Sequence, residues 1–162
     1  GTAVNPTPSI AALGVAPSAD APRTRMNLGE DTDAALLLLD ATDDPAALHE
    51  MADDIAESAD AAHDVSTGGL AVALAEMVGE NGVSAAVDAD SLFGTTPGRV
   101  VVAGDASDFD GAYTTHEIGE VTADSTLALE LDVGVGGRSI ELTREEIDEA
   151  RSSLADVMTG GL

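Results

Sequence analysis

Every positive side chain in this sequence is an arginine, and six arginines stand against 31 aspartates and glutamates, with no lysine at all. A chain so acidic either stays unfolded or folds with almost every charge on its surface. Disorder requires low hydrophobicity as well as high charge. Here 44% of the residues are apolar, and they recur at the periods of strands and helices, so a folded domain inside a shell of carboxylates is expected. Such a shell repels itself, and counterions relieve the repulsion over a Debye length of about 3 Å at 1 M salt. The expectation is adaptation to a salty cytoplasm. Nucleic-acid binding is disfavoured, because a phosphate backbone needs a basic footprint. Phe93, Phe109 and Tyr113 are the sole aromatic residues. The core must therefore rest on Ala, Val, Leu and Ile, and no aromatic platform exists for stacking bases.

A length of 162 residues fits one domain over 1–162 and suffices to bury a core without staples. The absence of cysteine rules out disulfides and thiolate metal sites. No apolar run approaches the roughly 20 residues that cross a bilayer. The opening Gly1-Thr2-Ala3-Val4-Asn5-Pro6 lacks the basic-then-apolar layout of a signal peptide. These features predict a cytoplasmic protein that engages neither membrane nor nucleic acid.

Periodicity predicts strands at Ser9–Val15, Ala35–Leu39, Val83–Val87, Arg99–Ala103, Glu117–Val121, Thr126–Leu131 and Ser139–Leu142. Residues 16–33 read as an exposed loop and 105–115 as ambiguous, with a short helix around Phe109 as one reading. Asp44-Pro45 predicts a helix start, with Leu48, Met51, Ala52, Ile55 and Ala59 on its apolar face and Glu50, Asp53, Asp54 and Glu57 opposite. Leu70–Met77 is apolar nearly all round, which predicts a deeply buried helix. Thr143 with Glu146 forms a capping box ahead of a helix whose buried stripe would be Ile147, Ala150, Leu154 and Met158. Strands and helices mix without strict alternation, so the predicted class is α+β, a mixed β-sheet with packed helices.

The stretch with most chemical content is His63-Asp64-Val65-Ser66-Thr67-Gly68-Gly69-Leu70, a glycine-rich turn that leads into an apolar helix. Amides at a helix start attract an anion, and glycines permit a phosphate to come close. Asp64 could hold a magnesium ion bridging to that phosphate. The structural alternative is a tight turn with a serine or threonine cap, and the pattern alone leaves both open. His63 could contact a ligand or pack against the turn. Arg99 could meet a phosphate or form a salt bridge. The pairs Asp43-Asp44 and Asp53-Asp54 read as solvated faces, His49 and His116 as structural or solvated, and no catalytic residue is assigned.

Three ordered motifs add a resemblance. The run His63 to Glu76 is similar to the His-Asp-x-Ser-Asp-Gly-Gly-Leu-Ala segment of the phosphoribosylformylglycinamidine synthases, within the aminoimidazole-ribonucleotide-synthetase-like superfamily. Asn5-Pro6-Thr7-Pro8-Ser9-Ile10 resembles the strand that opens that family's C-terminal domain. Leu92-Phe93-Gly94-Thr95-Thr96-Pro97-Gly98-Arg99 resembles a later strand entry, followed by Ile118-Gly119-Glu120-Val121. Selenophosphate synthetases, thiamine-monophosphate kinases and hydrogenase maturation factors share the fold with a different turn. The resemblance implies an ATP- and glutamine-dependent ligase of purine biosynthesis, with ATP or ADP and magnesium as cofactors. It also implies partners: the remaining domains of the same enzyme, a glutaminase subunit and a small accessory subunit. It implies a nucleotide- or phosphate-binding set of His63, Asp64, Ser66, Gly68, Gly69, Thr95, Thr96 and Arg99, with Asp64 on the metal. Two departures stand out: Thr67 occupies a position where the family has aspartate, and Thr95 one where its substrate-binding half has glutamate. A purely structural half-partner domain, or another ATP-using member of the superfamily, stays open as an alternative.

Overall fold

In a computed structural model, the described residues are 24–159 save 31, 45, 134 and 135, without side chains from 154 onward. The expected strand Ser9–Val15 lies outside them. Seven strands form one sheet: β1 (Ala35–Asp40), β2 (Ala61–Asp64), β3 (Gly82–Asp88), β4 (Arg99–Gly104), β5 (Thr114–Thr122), β6 (Thr126–Asp132) and β7 (Arg138–Thr143). Their order across the sheet is β2-β4-β1-β5-β3-β6-β7. All neighbours run antiparallel except β3 and β6, which are parallel. Helices α1 (Ala47–Ser58), α2 (Gly69–Met77) and α3 (Arg144–Thr159) complete the mixed α+β architecture.

Alternation along β1 feeds two separate cores. Leu36 joins the cluster around α2, which includes Leu70, Leu74, Met77, Val83, Val101 and Leu129. Leu37 and Leu39 join the cluster beneath α1, with Met51, Val102, Phe109 and Tyr113. The sheet is thus a partition, and each helix closes one side of it.

Several local expectations change. β2 is a strand where the sequence suggested only a turn, because its four residues pair with β4 from Ala61↔Ala103 to Asp64↔Val100. On α1, Ala47 and Met51 are buried, while Ala52 and Leu48 are exposed. Asp54 is not a freely solvated face: its Oδ2 accepts a 2.6 Å hydrogen bond from the Tyr113 hydroxyl. Asp44 does serve the helix start, its Oδ1 accepting from the Ala46 amide at 2.9 Å. Helix α2 is less enclosed than its composition suggested, since Val72 is 39% exposed. The ambiguous 105–115 segment contains a single 3-10 turn, Ala106–Asp108, before the buried ring of Phe109. The capping box forms as expected, with the Thr143 amide donating to Glu146 Oε2 at 2.8 Å and the Glu146 amide to Thr143 Oγ1 at 3.3 Å. Of the stripe that follows, Ile147 is buried and Ala150 exposed; Leu154 and Met158 lie outside the described side chains.

Candidate functional site

β2 delivers the glycine-rich turn. Ala61 and Val65 pack into the α2 cluster, so His63 between them faces the same way. It is 8% exposed. Its Nδ1 lies 2.9 Å from the carbonyl oxygen of Asp64. Its Nε2 lies 2.9 Å from Glu76 Oε2, an ion-pair separation with the carboxylate out of line for a hydrogen bond. The other oxygen of Glu76 is 3.0 Å from Arg151 Nη2. His63 thereby helps to stitch β2, α2 and α3 together. Alternation sets the Asp64 position with Ala62 on the α1 side, and the Asp64 side chain is 70% exposed, 3.8 Å from His63 Nδ1.

The turn itself is fixed from several directions. The Val65 amide donates to the Arg99 carbonyl at 3.0 Å, and the Gly69 amide to the Ser66 carbonyl at 2.9 Å. Gly68 and Gly69 have φ of 92° and 69°, the left-handed region that side chains resist. A Cβ on Gly69 would run into the backbone of Leu92 and Phe93, and one on Gly68 into the Val72 side chain. The Ala71 amide donates to the Leu92 carbonyl at 3.0 Å.

A helix head leaves four amides without intrahelical partners. Here those of Gly69 and Ala71 are satisfied inside the protein. Those of Gly68 and Leu70 have no partner among the described residues. No side chain caps the helix, so the serine or threonine cap of the structural alternative is not made. Ser66 is exposed at the turn's outer side.

The contact between Gly69 and Leu92–Phe93 brings the second resembling segment alongside. Thr95 is exposed and Thr96 half-buried. Arg99 opens β4, and its Nε donates to Asp40 Oδ2 at 2.7 Å. Burial pushes the Asp40 carboxyl up, but hydrogen bonds from Thr42 and Arg99, with the guanidinium charge, outweigh it and hold the group below its ordinary range. The fold therefore gathers the turn, the 92–99 segment and Arg99 at one end of the sheet. It also brings in three residues the sequence did not single out, together with His116, which the sequence alone marks as structural or solvated. Asp40, Asp88, Ser91 and His116 join Val65, Leu70 and Arg99 around a cleft of about 360 Å³. The available signal was that Asp40 and Asp88 each close a run of apolar strand residues.

Among the described residues no three His, Asp or Glu side chains converge as a ready-made metal cage. Magnesium does not require one, since it retains water and takes one or two carboxylates plus substrate phosphates. The exposed carboxylate of Asp64 at the edge of the turn fits that donor set.

The model of the family "AIR synthase related protein, C-terminal domain" matches residues 24–132. The phosphoribosylformylglycinamidine synthase subunit PurL of Natronomonas pharaonis is 33% identical over 189 residues, covering 96% of this chain and 26% of its own length. The PurL of Haloarcula marismortui is 36% identical over 133 residues, covering 74% of this chain and 18% of its own. This chain thus spans about a quarter or less of those relatives. Among solved structures, T. maritima PurL complexed with AMPPCP has a TM-score of 0.60 at 13% identity, over 79% of this chain and 27% of that one. The same protein complexed with ATP gives 0.57 at 15% identity, over the same shares of both chains. At such identities the two structures establish a common fold. With the sheet, the turn and the sequence match all in agreement, the chain belongs to the AIR synthase related family, as its C-terminal domain.

Proposed function

We propose that this chain is the C-terminal domain of a phosphoribosylformylglycinamidine synthase and that its glycine-rich turn faces the phosphates of a nucleotide. In that reading the 162 residues are one domain of a longer cytoplasmic enzyme. The enzyme would use ATP to activate the amide oxygen of formylglycinamide ribonucleotide, so that ammonia released from glutamine forms the amidine. The remaining domains, a glutaminase subunit and a small accessory subunit would be its partners. The curated relatives carry the assignment. The observation that carries the site is the pair of amides, Gly68 and Leu70, left without partners among the described residues at the head of α2.

Each residue then has a physical task. The amides of Gly68 and Leu70 would donate to phosphoryl oxygens, and the α2 dipole would favour their charge. Ser66, Thr95 and Thr96 would add hydroxyl donors at the rim. Arg99, its Nε committed to Asp40, would offer its remaining N–H groups. Asp64 would hold magnesium, which supplies the positive charge that a chain without lysine lacks. His63 would fix the end of β2 and with it the turn. No residue of this domain is assigned a catalytic step.

Calorimetry of magnesium–ATP with the full chain in molar KCl tests the reading: one nucleotide per chain is expected. Asp64→Ala should weaken binding at least tenfold, whereas Asp53→Ala, on the exposed side of α1, should leave it unchanged. The second reading, a half-partner that packs on its sister domains and binds nothing, draws on the two amides of the helix head already sealed by Ser66 and Leu92. Absence of any nucleotide binding would favour it.

A further inference from the structure

Helix α3 is tied to the flank of α2 in a way that packing alone does not require. At its start, Arg144 Nη1 donates to the Gly79 carbonyl at 2.9 Å, just past the last turn of α2. Ile147 is buried in the α2 cluster. One helical turn further on, Arg151 Nη2 stands 3.0 Å from Glu76 Oε1. The other oxygen of that carboxylate, Oε2, lies 2.9 Å from His63 Nε2. An unbroken line of side chains therefore runs from α3 through α2 to the end of β2, from which the glycine-rich turn departs.

His63 is where this line meets the turn. Its ring is buried, and a carbonyl can only accept, so Nδ1 carries the proton donated to the Asp64 carbonyl at 2.9 Å. That bond sets the plane of the peptide joining Asp64 to Val65. The Val65 amide belongs to the same peptide and donates to the Arg99 carbonyl at 3.0 Å. The seating of the ring thus reaches both the Asp64 backbone and the first amide of the turn. On the ring's other edge, Nε2 is buried without a hydrogen-bond partner, and what faces it is the Glu76 carboxylate, held out of line. That side chain is 30% exposed, and left to itself it would swing toward water. The Arg151 guanidinium holds it in place by its second oxygen.

We propose that Arg151 and Glu76 are positioning residues for the phosphate turn: α3 holds the Glu76 carboxylate, Glu76 holds the His63 ring, and the ring holds the Asp64 peptide. The proposal rests on the phosphate reading above and adds to it a dependence of that site on how α3 is seated. Neither residue touches the nucleotide. The Arg151–Glu76 pair, with side chains 58% and 30% exposed, contributes little to global stability, which separates a positioning role from a merely structural one. Charge gives a second separation. Glu76 is one more carboxylate in a chain of net charge −25, so on electrostatic grounds its removal should favour an anion. A positioning role predicts the opposite.

The test measures magnesium–ATP affinity by calorimetry with the full chain in molar KCl, together with hydrogen exchange of the turn amides. Arg151→Ala and Glu76→Ala should each weaken binding about fivefold, the scale of coupling carried by contact networks, with unchanged unfolding midpoints. Arg151→Lys returns a charge within reach of Glu76 and should recover most of the affinity. Arg138→Ala, on the exposed strand β7, removes the same charge away from the network and should leave binding unchanged. In Arg151→Ala the Val65 and Gly69 amides should exchange faster, while those of β1 keep their protection. Undiminished affinity in both alanine variants, or tighter binding by Glu76→Ala, would overturn the proposal, as would an equal loss in Arg138→Ala. If the unsubstituted chain binds no nucleotide, the phosphate reading fails and the exchange measurement still decides. Unaltered exchange at Val65 and Gly69 in Arg151→Ala then overturns the tie between α3 and the turn as well.

Discussion

The two sides of the sheet are built by different means. The α2 side is filled by aliphatic residues such as Leu36, Leu74, Met77, Val83, Val101 and Leu127, with no aromatic among its buried members. The α1 side is smaller and holds both buried aromatics, Phe109 and Tyr113. The third aromatic, Phe93, is 70% exposed. On the α1 side the excess carboxylates have structural use. Asp54 takes the Tyr113 hydroxyl, and Glu50 accepts from the Ala112 amide at 3.1 Å. The Thr115 hydroxyl donates to the Phe109 carbonyl at 2.8 Å. Burial and the neighbouring Asp54 carboxylate raise the Tyr113 phenol well above its ordinary range, so it stays a donor. One side relies on aliphatic volume, with the His63–Glu76–Arg151 contacts as its polar tie. The other fastens a loop with acidic acceptors that the composition already supplies.

The largest effect should erase the contrast altogether. Dialysis from multimolar KCl to below about 1 M should unfold both sides together, seen as a single loss of circular dichroism; separate transitions would show two independent units. At high salt, Phe109→Ala should cost about 3–5 kcal/mol and Leu74→Ala about 2–5 kcal/mol in denaturant titrations. If the α1 side tolerates truncation much better than the α2 side, its aromatic is not what holds it. Gly69→Ala, which forces a side chain into a left-handed φ and against the Leu92–Phe93 backbone, should cost about 1–3 kcal/mol. Tyr113→Phe should cost about 1–2 kcal/mol, and a double-mutant cycle with Asp54→Asn should recover most of that as pair coupling. The smallest effect concerns Asp40. Its carboxyl is depressed in the fold, so its contribution is present above the unfolded value of about 4 and is lost as the pH falls through the folded one. Asp40→Asn should lower stability modestly at neutral pH, where the contribution is fully present, and flatten the acid limb below about pH 4, as read from denaturant titrations across pH.

Much of this was legible from local pattern. Leu36 to Leu39, the alternating Leu127, Leu129 and Leu131, and the Thr143–Glu146 capping box all declare themselves within a few residues. β2 did not, because Ala61-Ala62-His63-Asp64 offers no β-branched residue and ends in polar groups; pairing with β4 makes it a strand. Asp54 was misplaced because its partner, Tyr113, is 59 residues away, beyond any helical period. The turn could be picked out by its glycines and its motif, but its clamp on Leu92–Phe93 is a tertiary contact. So is the meeting of Asp40, Asp88, Ser91 and His116, drawn from separate elements.

The strand order bears on how the molecule comes into being. Along the sheet only β6 and β7 are neighbours both in sequence and in space; each remaining pair joins segments separated by other strands. β1, near the start of the described chain, is flanked by β4 and β5, so during synthesis it must wait for most of the domain to leave the ribosome. Assembly dominated by such distant pairings is slow, and an unassembled chain this acidic also has its own repulsion to overcome. The rate of folding, and not only the final stability, should therefore climb steeply with salt.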